Sequence, residues 1–217
     1  MKTKKQTKKT VYEYTDKVIR IINAMMVVQF SALSITDFDE LNILDSVNKT
    51  YSMVDTFVRS EFVKLYSDAY NKAAKRIKAD NSRSVDGTDA VVSIINSVNP
   101  ITHYIYANEY DRKRTRCYES LMSTVSKDVR KMLKMRAMTI LSRQVREFCN
   151  YVTYQGMLNA YKDNGIKRVR WIALEDDKIC EECDDLNGLV FDIDRVPIKP
   201  HINCRCWLEP IWEVPSD

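Results

Sequence analysis

Glycine and proline are scarce, at four and five residues in a chain of 217. The first glycine is Gly87 and the first proline Pro100, so a long opening stretch contains neither breaker. A sheet-rich fold needs such residues at its reversals, and their scarcity favours long helices. Histidine is rarer still, with only His103 and His201. No apolar run reaches the roughly 18 residues that a membrane span requires. The charged start Met1-Lys-Thr-Lys-Lys is not followed by the apolar core of an export signal. The expectation is a chain without membrane association, working in a reducing cytoplasm where thiolates stay free. Also missing are a glycine-rich phosphate loop, a nucleophile–base–orienter set and a carboxylate pair with a plausible cleft, which argues against an enzyme.

What the chain does have is a concentration of soft metal ligands near its end, Cys180-Glu-Glu-Cys183 and then His201-Ile-Asn-Cys204-Arg-Cys206. A tetrahedral zinc site needs four thiolate or imidazole donors, and a two-residue gap lets one turn present a pair to the same ion. Cys180 and Cys183 form one such pair, and His201 with Cys204 mirrors it. Cys206 is a fifth candidate, so four of Cys180, Cys183, His201, Cys204 and Cys206 are expected to hold a structural zinc. Rival readings are a thioredoxin-like redox pair, a disulfide, and a nuclease of the ββα-metal kind. The first wants a βαβ context and the second an oxidising compartment; the third wants another histidine near the metal. For Cys117 and Cys149 the expectation is simple burial as small apolar groups.

The net charge of +4 is mild, but its distribution is uneven. Lys2, Lys4, Lys5, Lys8 and Lys9 form a basic leader without an acid. Arg112, Lys113, Arg114 and Arg116 begin a stripe that continues through Lys127, Arg130, Lys131, Lys134, Arg136, Arg143 and Arg146. The last stretch reverses sign, with Glu175, Asp176, Asp177, Glu181, Glu182, Asp184, Asp185, Asp192 and Asp194. Basic leaders and stripes can track phosphate backbones, though more often they are solvated helix faces.

Along the chain, residues 1–10 read as a flexible basic arm, since nothing apolar there offsets the entropy of ordering. Val18, Ile21, Ile22, Met25, Met26 and Val28 suggest a first helix over 11–30 with a wide buried face. Thr36 is a helix cap candidate, and the apolar steps from Phe38 and Leu41 through Tyr51, Phe62 and Ile77 run unbroken. One helix over 37–79, about 60 Å long at ~1.5 Å per residue, would need an antiparallel partner or a neighbour's surface. Asp86-Gly87 marks a turn, with Thr88 or Asp89 capping a short helix to Val98. Pro100 restarts the chain into a breaker-free span over 101–155. A helix from about Ser142 should close at Asn164-Gly165. Beyond it, strands are expected at 168–174, at 189–191 after the Asn187-Gly188 turn, and from Cys206 up to Pro210. The expected fold is mainly α, with long helices in an elongated N-terminal part (11–165) and a small zinc-stabilised α+β module (166–217). A module of this size needs a metal to supply what its core lacks.

Trp171, Asp176, Cys180, Cys183, Leu186, Gly188, Phe191, Pro200, His201, Asn203, Cys204, Arg205, Cys206 and Pro210 together resemble a known signature. The pattern Trp, Asp, Cys-x-x-Cys, Leu-x-Gly and His-Pro-Asn-Cys-Arg-Cys is that of the Mu F-like phage head morphogenesis family, the minor head proteins. The resemblance covers about Arg143 to Pro210. Ile202 stands where the family has proline, and Arg143-Gln144-Val145 stands where it often has Arg-Thr-Glu, with Glu147 displaced. The resemblance implies a non-enzymatic virion component, made in the host cytoplasm and taken into the head. Its implied partners are the portal protein and other head components, with residues 37–79 as the portal contact. Packaged DNA is a further implied contact, through Lys2–Lys9 and the Arg112–Arg146 stripe. A nonspecific DNA-binding zinc protein and a metal-dependent nuclease are the alternatives.

Overall fold

In the computed structural model, the described residues are 4–31, 40–77, 85–99, 103–124, 126–173, 179–198, 204 and 206–212. Five helices come first: α1 (Lys4–Ser31), α2 (Glu40–Arg76), α3 (Thr88–Asn96), α4 (Tyr106–Met122) and α5 (Lys127–Asp163). A short α6 (Glu181–Asp185) and the strands β1 (Arg168–Ile172), β2 (Val190–Asp192) and β3 (Trp207–Ile211) complete the fold. Among the described residues the chain is mainly helical with one small antiparallel sheet, in the order β2-β1-β3.

The long helix is real and unbroken. Val47, Tyr51, Val54, Val58, Phe62, Leu65, Ala69 and Ala73 form its buried stripe, and Ile77 follows just beyond its end. At its start Ile43 takes the core position and Leu41 is 73% exposed, so the expected stripe is shifted there. Thr36 and Phe38 lie outside the described residues. The main partner of α2 is α5, and the two run parallel. Phe62 packs on Phe148, the Asn159 amide donates to the Tyr66 hydroxyl at 2.8 Å, and Tyr70 donates to Asp163 at 2.9 Å. Both partners advance together along their helices. Antiparallel partners do exist, on the flanks. In α4 the Tyr110 hydroxyl meets the Tyr51 carbonyl at 2.6 Å while Tyr106 packs on Phe62. On α1, Tyr14 bonds Glu61, Arg146 pairs with Asp16 at 2.7 Å, and Lys134 reaches the Phe30 carbonyl at 2.8 Å.

Gly156 makes the close approach of α2 and α5 possible. A Cβ there would stand 2.6 Å from the Tyr66 carbonyl oxygen, closer than real Cβ contacts allow. No side chain other than hydrogen fits between these backbones.

Several boundaries differ from the sequence reading. Helix α1 begins at Lys4, so helical backbone extends into the basic leader. Its Ile21 and Val28 are exposed, and Ile19 and Phe30 fill the core instead. Helix α3 is preceded by Asp86, whose carboxylate accepts from the Thr88 backbone N–H at 3.0 Å and its hydroxyl at 2.6 Å. The breaker-free span divides at 123–126 without glycine or proline. The Ser126 hydroxyl accepts from the Val129 N–H and opens α5 far upstream of Ser142. A serine cap suffices there. His103 lies in a turn with φ 60, not in a helix; its N–H donates to the Asn99 carbonyl at 2.7 Å. Strand β3 runs through Pro210, which an edge strand tolerates because one side needs no ladder bond.

Candidate metal centre

Helix α5 delivers the chain to the sheet. It closes at Asn164, and Gly165 takes φ 75, which a side chain would disfavour. The Ile166 N–H then returns to the Tyr161 carbonyl at 3.0 Å, and β1 follows at once. Two tyrosines one helical face apart tie the module to α5: Tyr154 donates to the Pro197 carbonyl at 3.1 Å and Tyr161 to the Leu208 carbonyl at 3.3 Å. Lys162 pairs with Asp194 at 2.8 Å. Val169, Trp171 and Leu208 join the same apolar core as the bundle.

The central strand carries Trp171, whose backbone bonds to Leu189 and Gly188 at 2.8 Å each and so closes the loop bearing the first cysteine pair. The Asn187 side chain accepts from the Ala173 N–H at 2.9 Å and fixes the other side of that loop. Within it, Cys180 caps α6, and its carbonyl accepts from the N–H groups of Cys183 and Asp184 at 3.0 Å. That turn puts both sulfurs on one side. Cys204 and Cys206 arrive on the approach to β3, one residue apart.

The sulfurs of Cys183, Cys204 and Cys206 all lie within 4.8 Å of one another, and all three residues are buried. Cys183 and Cys204 are 3.6 Å apart, and none of the six cysteines forms a disulfide. Zinc–sulfur bonds of ~2.3 Å in a tetrahedron imply sulfur–sulfur edges of roughly 3.8 Å. The Cys183–Cys204 separation is close to one such edge, and the Cys206 sulfur lies within 4.8 Å of both. Cys180 is half-buried and stands outside this triangle, beside Cys183. His201 lies outside the described residues.

Burial, then the Cys180 contact, pushes the Cys183 thiol up to about 12, while the Cys204 contact holds Cys206 below the ordinary thiol value. Packed thiols resist ionising together, and a divalent cation at their centre removes that resistance. The Trp171 indole N–H is buried, meets no nitrogen or oxygen acceptor, and lies beside the Cys206 sulfur. A metal-bound thiolate is the acceptor such a donor lacks. The donor set thus fits a thiophilic divalent metal.

The redox reading fares less well, because the first cysteine pair lies between antiparallel strands rather than in a βαβ unit. Cys117 and Cys149 are buried in the bundle, as expected of small apolar groups, and burial raises both thiols to about 11 and about 12. The sequence reading missed the anchoring by Tyr154 and Tyr161. Their seven-residue spacing on one face of α5 was the available signal.

Residues 112–209 match the family model described as phage Mu protein F like protein. No curated protein and no solved structure matches the chain.

Proposed function

Because residues 112–209 carry the domain of the phage Mu protein F like family, we propose that this chain is a structural, non-enzymatic component of phage head morphogenesis. In this reading it is a minor head protein at the portal vertex, with a tail closed by zinc. The observation that carries the metal is the triangle of Cys183, Cys204 and Cys206 with Cys180 beside it. His201 is the alternative fourth donor. Bound there, zinc would supply a cross-link between the α6 loop and the approach to β3, and its contribution would be to folding.

The chain would be made in the host cytoplasm and carried into the head. The portal contact cannot be tested by deleting residues 37–79, because α2 forms the centre of the bundle. The test is co-expression of the intact chain with the portal protein of the same phage. Recovery of a stable complex, and of the chain in purified heads, is the expected result. Absence from both would reject the reading. Elemental analysis of the purified chain should give one zinc per molecule, and metal-free protein with a folded module would reject the cross-link.

DNA contact through Lys2–Lys9 and the Arg112–Arg146 stripe is a secondary reading, and it draws on fewer charges than the sequence suggests. Arg112 and Lys113 pair with Glu109, Arg114 with Asp111 and Arg146 with Asp16. Arg130 is buried with its Nε on the Thr124 carbonyl at 2.8 Å. Arg116, Lys127, Lys131, Arg136 and Arg143 remain exposed.

A further inference from the structure

The first half of α5 presents an outer face unlike the rest of the bundle. Lys131, Met132, Met135, Arg136, Thr139 and Arg143 are all exposed and follow one another at steps that share a helix face. Met132 and Met135 are 59% and 61% exposed. Between Asp128 and Glu147 this helix carries no acid at all. Phosphate backbones call for cations, but not for two long thioethers among them. Exposed methionines amid cations suit another protein's surface, where their flexibility lets them fit an apolar patch.

The same chain holds a surface of matching character and opposite sign. Glu181, Glu182, Asp184 and Asp185 on α6 are exposed, and Leu189 and Val190 emerge exposed just after them, Leu189 at 49%. Within one molecule the two surfaces cannot meet. Met135 precedes the module's anchor at Tyr161 by a helical distance of roughly 40 Å at ~1.5 Å per residue.

We propose that copies of this chain associate head to tail, the basic, methionine-bearing face of α5 in one copy receiving the acidic cysteine module of the next. Opposite charges set the orientation and steer the encounter, while Met132 and Met135 against Leu189 and Val190 supply apolar contact. Such a contact is heterologous, so a bound pair still offers one free surface of each kind, and the assembly closes as a ring or grows. This inference does not depend on the portal reading.

The experiment is sedimentation velocity on the full chain over a range of concentrations, at low and high salt. Two double variants are compared with it: Lys131→Glu with Arg136→Glu, and Glu181→Lys with Asp185→Lys. Each is first checked for unchanged metal content and thermal unfolding. The unsubstituted chain should sediment faster as concentration rises, and high salt should abolish the shift. Each variant alone should remain monomeric, with association weakened roughly tenfold or more. An equimolar mixture of the two should associate again, since each retains the surface that the other has lost. A monomeric unsubstituted chain at every concentration overturns the proposal, as does association that neither variant weakens. Loss of duplex DNA binding in the Lys131/Arg136 variant, with self-association untouched, would overturn it too and assign the face to nucleic acid.

Discussion

The bundle and the cysteine module reach order by different means. In the bundle, α2 and α5 bury continuous apolar stripes against each other, and α1 and α4 cover their flanks. Aromatic rings fill the centre, with Phe62, Tyr106 and Phe148 in mutual contact at centroid distances of 4.4 to 5.4 Å. The module has one well-buried strand, β1, between two short edges, and β2 is only three residues long. Its inner face borrows the bundle's core, its outer loop is held by backbone bonds to Trp171, and three cysteine sulfurs cluster beneath it.

The sharpest way to break this contrast is to remove one ligand. Cys204→Ser should abolish metal retention and the slow amide exchange of β1 and β3, while far-UV circular dichroism keeps its helical signal. If the bundle unfolds as well, the two regions are a single cooperative unit. The opposite experiment is Phe62→Ala, which should cost about 3–5 kcal/mol in urea unfolding. Gly156→Ala should cost about 1–3 kcal/mol by forcing α2 and α5 apart, with metal content unchanged below the transition. Trp171→Phe removes the indole N–H beside Cys206 and should weaken metal retention roughly tenfold in a competition titration with a chelator.

The smallest effect concerns Glu147, whose carboxyl burial raises above its ordinary value although Arg143 opposes the shift. Its Oε1 has no hydrogen-bond partner. A raised carboxyl favours the folded state below the unfolded pKa and loses that advantage as pH rises through the folded one. Glu147→Gln should therefore raise the melting temperature at pH 7 by roughly a degree or two and have no effect once the medium is acidic enough to protonate both states.

Much of this was legible in the residues themselves. Steps of three and four from Val47 to Ala73 are one helix because nothing in them interrupts it, and Asn164-Gly165 stops α5 because Gly165 accepts a positive φ. The break at 123–126 was not legible, since serine caps compete weakly with a helix in any local count. The parallel pairing of α2 with α5 also escaped, because periodicity reports which face is buried and not what covers it. Around the sulfurs, spacing pointed to four of Cys180, Cys183, His201, Cys204 and Cys206 without saying which; the structure brings Cys183, Cys204 and Cys206 together. Spacing said nothing of the indole beside them, which only the pairing of β1 with both neighbours brings there.

The short turn from α5 into β1 carries a mechanical consequence. With Ile166 bonded back to Tyr161, and with Tyr154 and Tyr161 gripping Pro197 and Leu208, the tail is tied to α5 at its base. The helix then acts as a ruler. Whatever docks on its basic beginning and whatever docks on its sulfur-bearing end are kept at one set spacing, and a push on either reaches the other along a single rigid rod.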